Sequence, residues 1–277
     1  MIYARGYQDM SLEQGPKIVI QKHITKEEYE NHKSELAEAH KISAMDDVHN
    51  LLVQNGEEFL KYSANAEYHL KLEEKVVYLE ANRLLTNYLS SLSMFIDYGE
   101  RYNQKHFGKE EMKKFQEKTH DFYDSHISYR FMALMRNYAL HYAFPLSVIH
   151  QSVNGANGIF ASKNTLLKFD AWKHAKEDIK QMPDLISLDI HVDISMMFLK
   201  KLFQNYVYDI APLVLRGIEY LNGMIKDVRG KMPVLITFNS IEELRKGNLS
   251  LDIIDIKIYA HAFEIIKQHP SINITEK

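Results

Sequence analysis

Residues 72–106 read LEEKVVYLEANRLLTNYLSSLSMFIDYGERYNQKH, and their spacing decides the fold class. Leu72, Val76 and Leu79, then Leu85, Leu89, Leu92 and Ile96, recur at steps of three and four. A helix turns about 100° per residue, so these positions make one apolar stripe along a long helix. Gly108 is placed to stop it. A short charged helix over 109–118 follows, and then a strongly amphipathic one over 121–143, with Pro145 closing the pattern.

Upstream, residues 1–24 show no helical period, and Lys17-Ile18-Val19-Ile20 reads as a short strand. Thr25-Lys26-Glu27-Glu28 is a capping box, so a helix starts there, continues to about Gly56 and resumes to about His69. The charged 25–45 segment reads as a solvated face.

Downstream, Ser147-Val148-Ile149, the turn Asn154-Gly155-Ala156-Asn157-Gly158, Ile159-Phe160 and Leu166-Leu167-Lys168-Phe169 read as a small β-hairpin or meander. Helical period returns from about Leu185 to Gly230, with a bend at Pro212. Pro233-Val234-Leu235-Ile236-Thr237-Phe238 reads as a strand, Ser240-Ile241-Glu242-Glu243 as a second capping box, and 251–268 as a closing helix. The simplest assembly is an all-α helical bundle with long antiparallel helices and a β insertion near 146–169. One domain over 1–277 is expected, with a helical core at 25–145 and a C-terminal helical part at 170–277.

Composition narrows the chemistry. The 277 residues are 45% hydrophobic and 26% charged, with a net charge of −3, so a folded chain without a global basic field is expected. Any nucleic-acid contact must come from a local patch. There are no cysteines, which excludes disulfides, thiolate nucleophiles and Cys-ligated metal centres. The N-terminus MIYARGYQDM has no signal-peptide apolar region, and ISMMFL is cut short by Lys200 and Lys201. A cytoplasmic location without membrane contact is expected.

Metal motifs are thin. Glu117-Lys118-Thr119-His120 is a single Glu-x-x-His where a di-iron bundle needs two, and its lysine-rich surroundings read as surface. His191-Val192-Asp193 and Asp124-Ser125-His126 are unsupported pairs. The zinc-protease, dinucleotide, phosphate-loop and hydrolase-elbow motifs are absent. Neither metal nor cofactor is expected.

What remains is Arg136-Asn137-Tyr138-Ala139-Leu140-His141. In a chain with 14 histidines a lone Arg-x4-His arises by chance, and Arg101 to His106 is a second copy. That copy sits at a helix end with polar residues between, and is read as a decoy. On the 121–143 helix, Ile127, Phe131, Met135, Tyr138 and Tyr142 form the stripe expected to face the core. Arg130, Leu134, Asn137 and His141 line one flank. Arg136 lies on the other side with Ala133 and Leu140. That apolar back face implies a second covering surface, either another helix or a second subunit. A purely structural reading has Arg136 paired with a carboxylate and His141 capping a carbonyl near Pro145.

Over residues 72–145 this pattern resembles the HEPN superfamily, helical proteins that often carry Arg, four to six residues, then His, with Asn, Asp or His after the Arg. Here Asn137 holds that place. The resemblance implies a metal-independent endoribonuclease of toxin or defence type, acting at a homodimer cleft and held in check by a cognate antitoxin. In that reading Arg136 stabilises charge on the phosphate. His141 exchanges protons, the role histidine most often takes in general acid–base catalysis. Asn137 orients His141 or binds the phosphate. Arg130, Lys163 and Lys168, with Lys173 and Lys176, form a basic rim for RNA. The alternative is a catalytically silent helical protein that binds a partner or nucleotide through the same cleft.

Overall fold

The computed structural model describes residues 1–9, 17–69, 71–151 and 157–275. In chain order the elements are β1 (Ile2–Asp9), β2 (Lys17–Ile24), α1 (Lys26–Ala37), α2 (His40–Ser63), α3 (Ala66–His69), α4 (Glu74–Phe107), α5 (Lys109–Ser125), α6 (Ile127–His141), β3 (Val148–Gln151), β4 (Asn157–Ser162), α7 (Lys163–Leu166), a 3-10 turn at Asp170–Trp172, α8 (Ala175–Gln181), β5 (Leu185–Ser187), α9 (Leu188–Asp227), β6 (Met232–Phe238), α10 (Ile241–Arg245), β7 (Ser250–Ile253) and α11 (Ile256–Lys267). The expected all-α class is therefore corrected: the chain is predominantly helical, but it carries a four-stranded and a three-stranded antiparallel sheet. No described helix is long and apolar enough to cross a membrane.

Residues 1–44 and 207–277 form one compact unit, and 45–206 the other. The first holds the sheet ordered β2-β1-β6-β7. Its strands come from opposite ends of the chain: Ala4 pairs with Ile236 and Val234 with Ile253. One face buries Ala4, Val234, Ile236 and Phe238 under Ile18, Ile20, Leu244 and Leu251. The capping box at Thr25 closes with both bonds, whereas at Ser240 only the side-chain half forms. The Glu28 amide donates to Thr25 Oγ1 at 3.0 Å while the Thr25 amide donates to Glu28 at 2.7 Å, and the Glu243 amide donates to Ser240 Oγ at 3.2 Å. The closing helix starts later than its periodicity implies, because β7 takes residues 250–253 and Asp255 caps α11.

In the second unit α4 lies where the leucine spacing puts it, and Gly108 ends it at φ +90°, a conformation side chains avoid. Its buried stripe holds Leu85, Leu89 and Leu92, but continues back through Ala81 and Val77. Those lie four and eight residues before Leu85, whereas Val76 and Leu79 fall out of phase and stay exposed. Gly56 does not interrupt α2. A Cβ there would come within 2.6 Å of Met196 Sδ and 3.2 Å of Tyr88, so this glycine marks a close packing point inside the helix.

The β insertion is also redrawn. Val148–Gln151 pairs with Asn157–Ser162 as expected, while Asn154, Gly155 and Ala156 of the expected turn lie outside the described residues. Residues 166–169 are not a strand: Ser162 caps α7 at Thr165, and the third strand is Leu185–Ser187, taken from the start of the expected 185–230 helix. Trp172, fully buried, donates from Nε1 to the Leu166 carbonyl at 2.6 Å and pins this turn.

Candidate nucleic-acid interface on helix α6

Helix α6 presents its inner face to an aromatic core. Phe131, Met135 and Tyr138 are fully buried; the Phe131 and Tyr138 rings stack on Trp172 at 5.8 and 5.6 Å. The expected stripe ends short on both sides, because Ile127 opens the helix and Tyr142 lies past its last residue, His141. Both are nearly half exposed.

The opposite face is only partly exposed. Taking Arg136 as the origin and about 100° per residue, Leu140, Ala133, Asn137 and His141 follow at roughly 40°, 60°, 100° and 140°. Leu140 is 47% exposed, His141 is exposed, and Ala133, Arg136 and Asn137 are half-buried. Arg136 and His141 thus flank one arc of surface with Asn137 between them. They also diverge, by about 140° and about 7.5 Å along the axis.

The charges around this arc are unequal. Arg5, Arg130 and Arg136 are the half-buried arginines among the described residues. Arg5 meets Asp227 at 3.3 Å, and Arg130 meets Asp178 at 2.8 and 2.7 Å while also donating to the Tyr123 and Asp124 carbonyls. Among the described residues Arg136 has no carboxylate partner, and its Nε is buried without a hydrogen bond. The structural reading of the motif thus lacks its expected ion pair. A guanidinium kept half-buried and uncompensated is costly.

The other residues named from sequence scatter. Arg130 is held by Asp178, on the flank of α6 it was assigned to. Lys163 donates to the Met182 carbonyl at 2.9 Å and pairs with Asp184 at 3.0 Å, so it staples the β insertion. Lys176 pairs with Asp170. Lys168 is exposed and makes no ion pair among the described residues. In the decoy copy Arg101 is exposed, and His106 packs on the Tyr102 ring at 4.2 Å. Glu117 and His120 are both exposed, and among the described residues no three His, Asp or Glu side chains gather as a metal site.

Sequence reasoning missed the aromatic border of this face. Tyr142 is 49% and Phe144 52% exposed, beside the helix end. Tyr142 contacts the rings of Tyr138 at 5.2 Å and Phe169 at 5.4 Å, and Phe144 contacts Tyr78 at 6.2 Å. The Leu146 amide donates to Asn82 Oδ1 at 3.2 Å, tying this segment to α4. Pro145, four residues past His141, was the available signal that Tyr142 and Phe144 leave the helix.

No family model, curated protein or solved structure matches the chain.

Proposed function

We propose that this chain is a metal-independent endoribonuclease of HEPN type, working as a homodimer through the partly exposed face of α6. The observation that carries the reading is Arg136: alone among the described half-buried arginines, it lacks a carboxylate partner. An unpaired guanidinium beside solvent suits a phosphate, which it grips bidentately as negative charge gathers in the transition state. His141, exposed at the helix end, takes the 2′-hydroxyl proton or protonates the leaving 5′-oxygen. Attack of the 2′-oxygen on phosphorus breaks the P–O5′ bond and leaves a 2′,3′-cyclic phosphate and a 5′-hydroxyl.

The divergence of Arg136 and His141 on one helix supports two copies. Facing α6 helices related by a two-fold axis would bring the Arg136 of one protomer toward the His141 of its partner. A cytoplasmic toxin-type role and a cognate antitoxin belong to the same proposal. The exposed Leu140, Tyr142 and Phe144 support a second reading, a catalytically silent protein that binds a partner or nucleotide at this face.

Incubation of the purified chain with mixed-sequence RNA in EDTA separates these readings. The expected result is cleavage by wild type, a loss of about 10²–10⁴-fold in His141→Ala, and a comparable loss in Arg136→Ala. Arg101→Ala and His106→Ala cleave like wild type. Absence of cleavage by wild type, or full activity in folded His141→Ala, overturns the proposal.

A further inference from the structure

Strand β7 takes no part in the chemistry proposed for α6. In an antiparallel ladder successive residues turn their N–H and C=O groups alternately toward the neighbouring strand and away from it, so every second residue of β7 directs both groups outward. The sheet order β2-β1-β6-β7 leaves β7 at the edge, and among the described residues its backbone bonds only to β6. Ile253 on this edge is 63% exposed. A groove of about 390 Å³ runs beside it. One wall is β7 at Leu251, Asp252 and Ile253, and the other is α1, whose Lys33, Leu36 and Ala37 share one helix face. Buried Tyr259 lines the groove and donates its hydroxyl to the Leu36 carbonyl at 2.8 Å, which fixes the helical wall. A free strand edge facing a helix side is the setting in which an extended segment adds itself as a further strand.

The charges on the groove select among such segments. Asp252 Oδ2 accepts from the Tyr29 hydroxyl at 2.5 Å and meets Lys33 Nζ at 3.3 Å, while its Oδ1 has no partner among the described residues. Asp255 caps α11 through Oδ1 at 3.0 Å, and its Oδ2 is likewise unpaired among the described residues. Two carboxylates thus meet one ammonium. We infer that this groove docks an extended peptide of another protein, which pairs with β7 and carries basic side chains on either side of apolar ones. The peptide backbone satisfies the outward groups of β7, an apolar side chain lies over Leu36 and Ala37, and the cations meet Asp252 and Asp255. A second copy of this chain is the poorer occupant, because two β7 strands paired about a two-fold axis bring the Asp252 carboxylates of both protomers close together.

The test uses a capped, fluorescent peptide Lys-Lys-Val-Val-Lys-Lys, which offers lysine, valine, lysine on either face of a strand. Anisotropy with the full chain should show saturable binding at micromolar concentration. The Glu-Glu-Val-Val-Glu-Glu counterpart should not bind, and methylating both valine amide nitrogens, which then cannot donate to β7, should weaken binding at least about tenfold. Ala37→Phe, at an exposed helix end, fills the groove and should abolish binding. Asp252→Asn should weaken it about twofold to fivefold, and Lys33→Ala should tighten it by freeing Asp252. Sedimentation of Ala37→Phe should show the assembly state of wild type. None of these readouts depends on RNA cleavage, so they succeed or fail apart from the ribonuclease reading. The inference is overturned by no binding of the basic peptide, by equal binding of the acidic one, or by wild-type affinity for the methylated peptide or in Ala37→Phe. A smaller Ala37→Phe species would overturn it too, since the groove would then be a contact between copies.

Discussion

His49 shows at the scale of one residue how burial sets a property unreadable from composition. Its ring stacks on Phe203 at 4.1 Å and lies 5.9 Å from Phe95, and among the described residues neither ring nitrogen has a hydrogen-bond partner. Burial, with a smaller contribution from the Lys200 charge, holds its pKa down to about 4. In the unfolded chain it protonates below about pH 6.5. Between those values only the unfolded state takes up the proton, so stability is intact above pH 6.5 and declines as pH falls toward 4. By pH 5 the loss is about 2 kcal/mol. His191, which burial also brings down to about 4, adds in the same direction; its Nδ1 lies 2.9 Å from Ser128 Oγ. His49→Phe should therefore fold at neutral pH and lose less stability on acidification, read as Tm from pH 7.5 to 5. An unchanged pH slope would show that His49 is not the neutral buried group described. Tyr138→Phe is a companion case. The hydroxyl it removes is buried without a partner among the described residues, so the variant should be at least as stable as wild type. A loss above about 1 kcal/mol in urea unfolding would contradict that.

The helices show which sequence signals survive folding. Runs of apolar residues at steps of three and four located α4, and Thr25 and Ser240 located two helix starts, because these signals act within one or two turns. Glycine was less legible, since its meaning depends on what packs against it. Gly108 ends a helix through its own φ, while Gly56 and Gly99 lie inside helices as points of close approach. A Cβ at Gly99 would press into the Phe115 ring, where α4 and α5 pack. Gly99→Ala should cost about 1–3 kcal/mol by overpacking, and Gly99→Ala with Phe115→Leu should recover part of it. Equal stability of Gly99→Ala and wild type in urea unfolding would refute this close packing. The aromatic border of α6 escaped notice for a similar reason. Tyr142 continues the period of Phe131, Met135 and Tyr138, and only the end of the helix at His141 turns it outward.

At the scale of the molecule, the sheet was legible only as fragments. Lys17–Ile20 and Pro233–Phe238 each read as strands, but no local signal says that β1 bridges β2 and β6 across more than two hundred residues. Non-local pairing leaves no trace in periodicity, so an all-α expectation arose from a chain whose two ends share a sheet. The surroundings of the proposed site residues were not legible: Arg136 and Asn137 are half-buried and His141 is exposed, while Arg130 and Lys163 are engaged by Asp178 and Asp184. The proposed assembly predicts light scattering at twice the chain mass of 32.4 kDa at micromolar concentration, and a strictly monomeric species would remove the shared cleft. The most direct test of the whole account is the chemistry of the cut ends. Mass spectrometry of RNA fragments produced by the wild-type chain in EDTA should show 2′,3′-cyclic phosphates and 5′-hydroxyls, absent with His141→Ala. Fragments bearing 3′-hydroxyls and 5′-phosphates, or cleavage that needs added divalent metal, would contradict it.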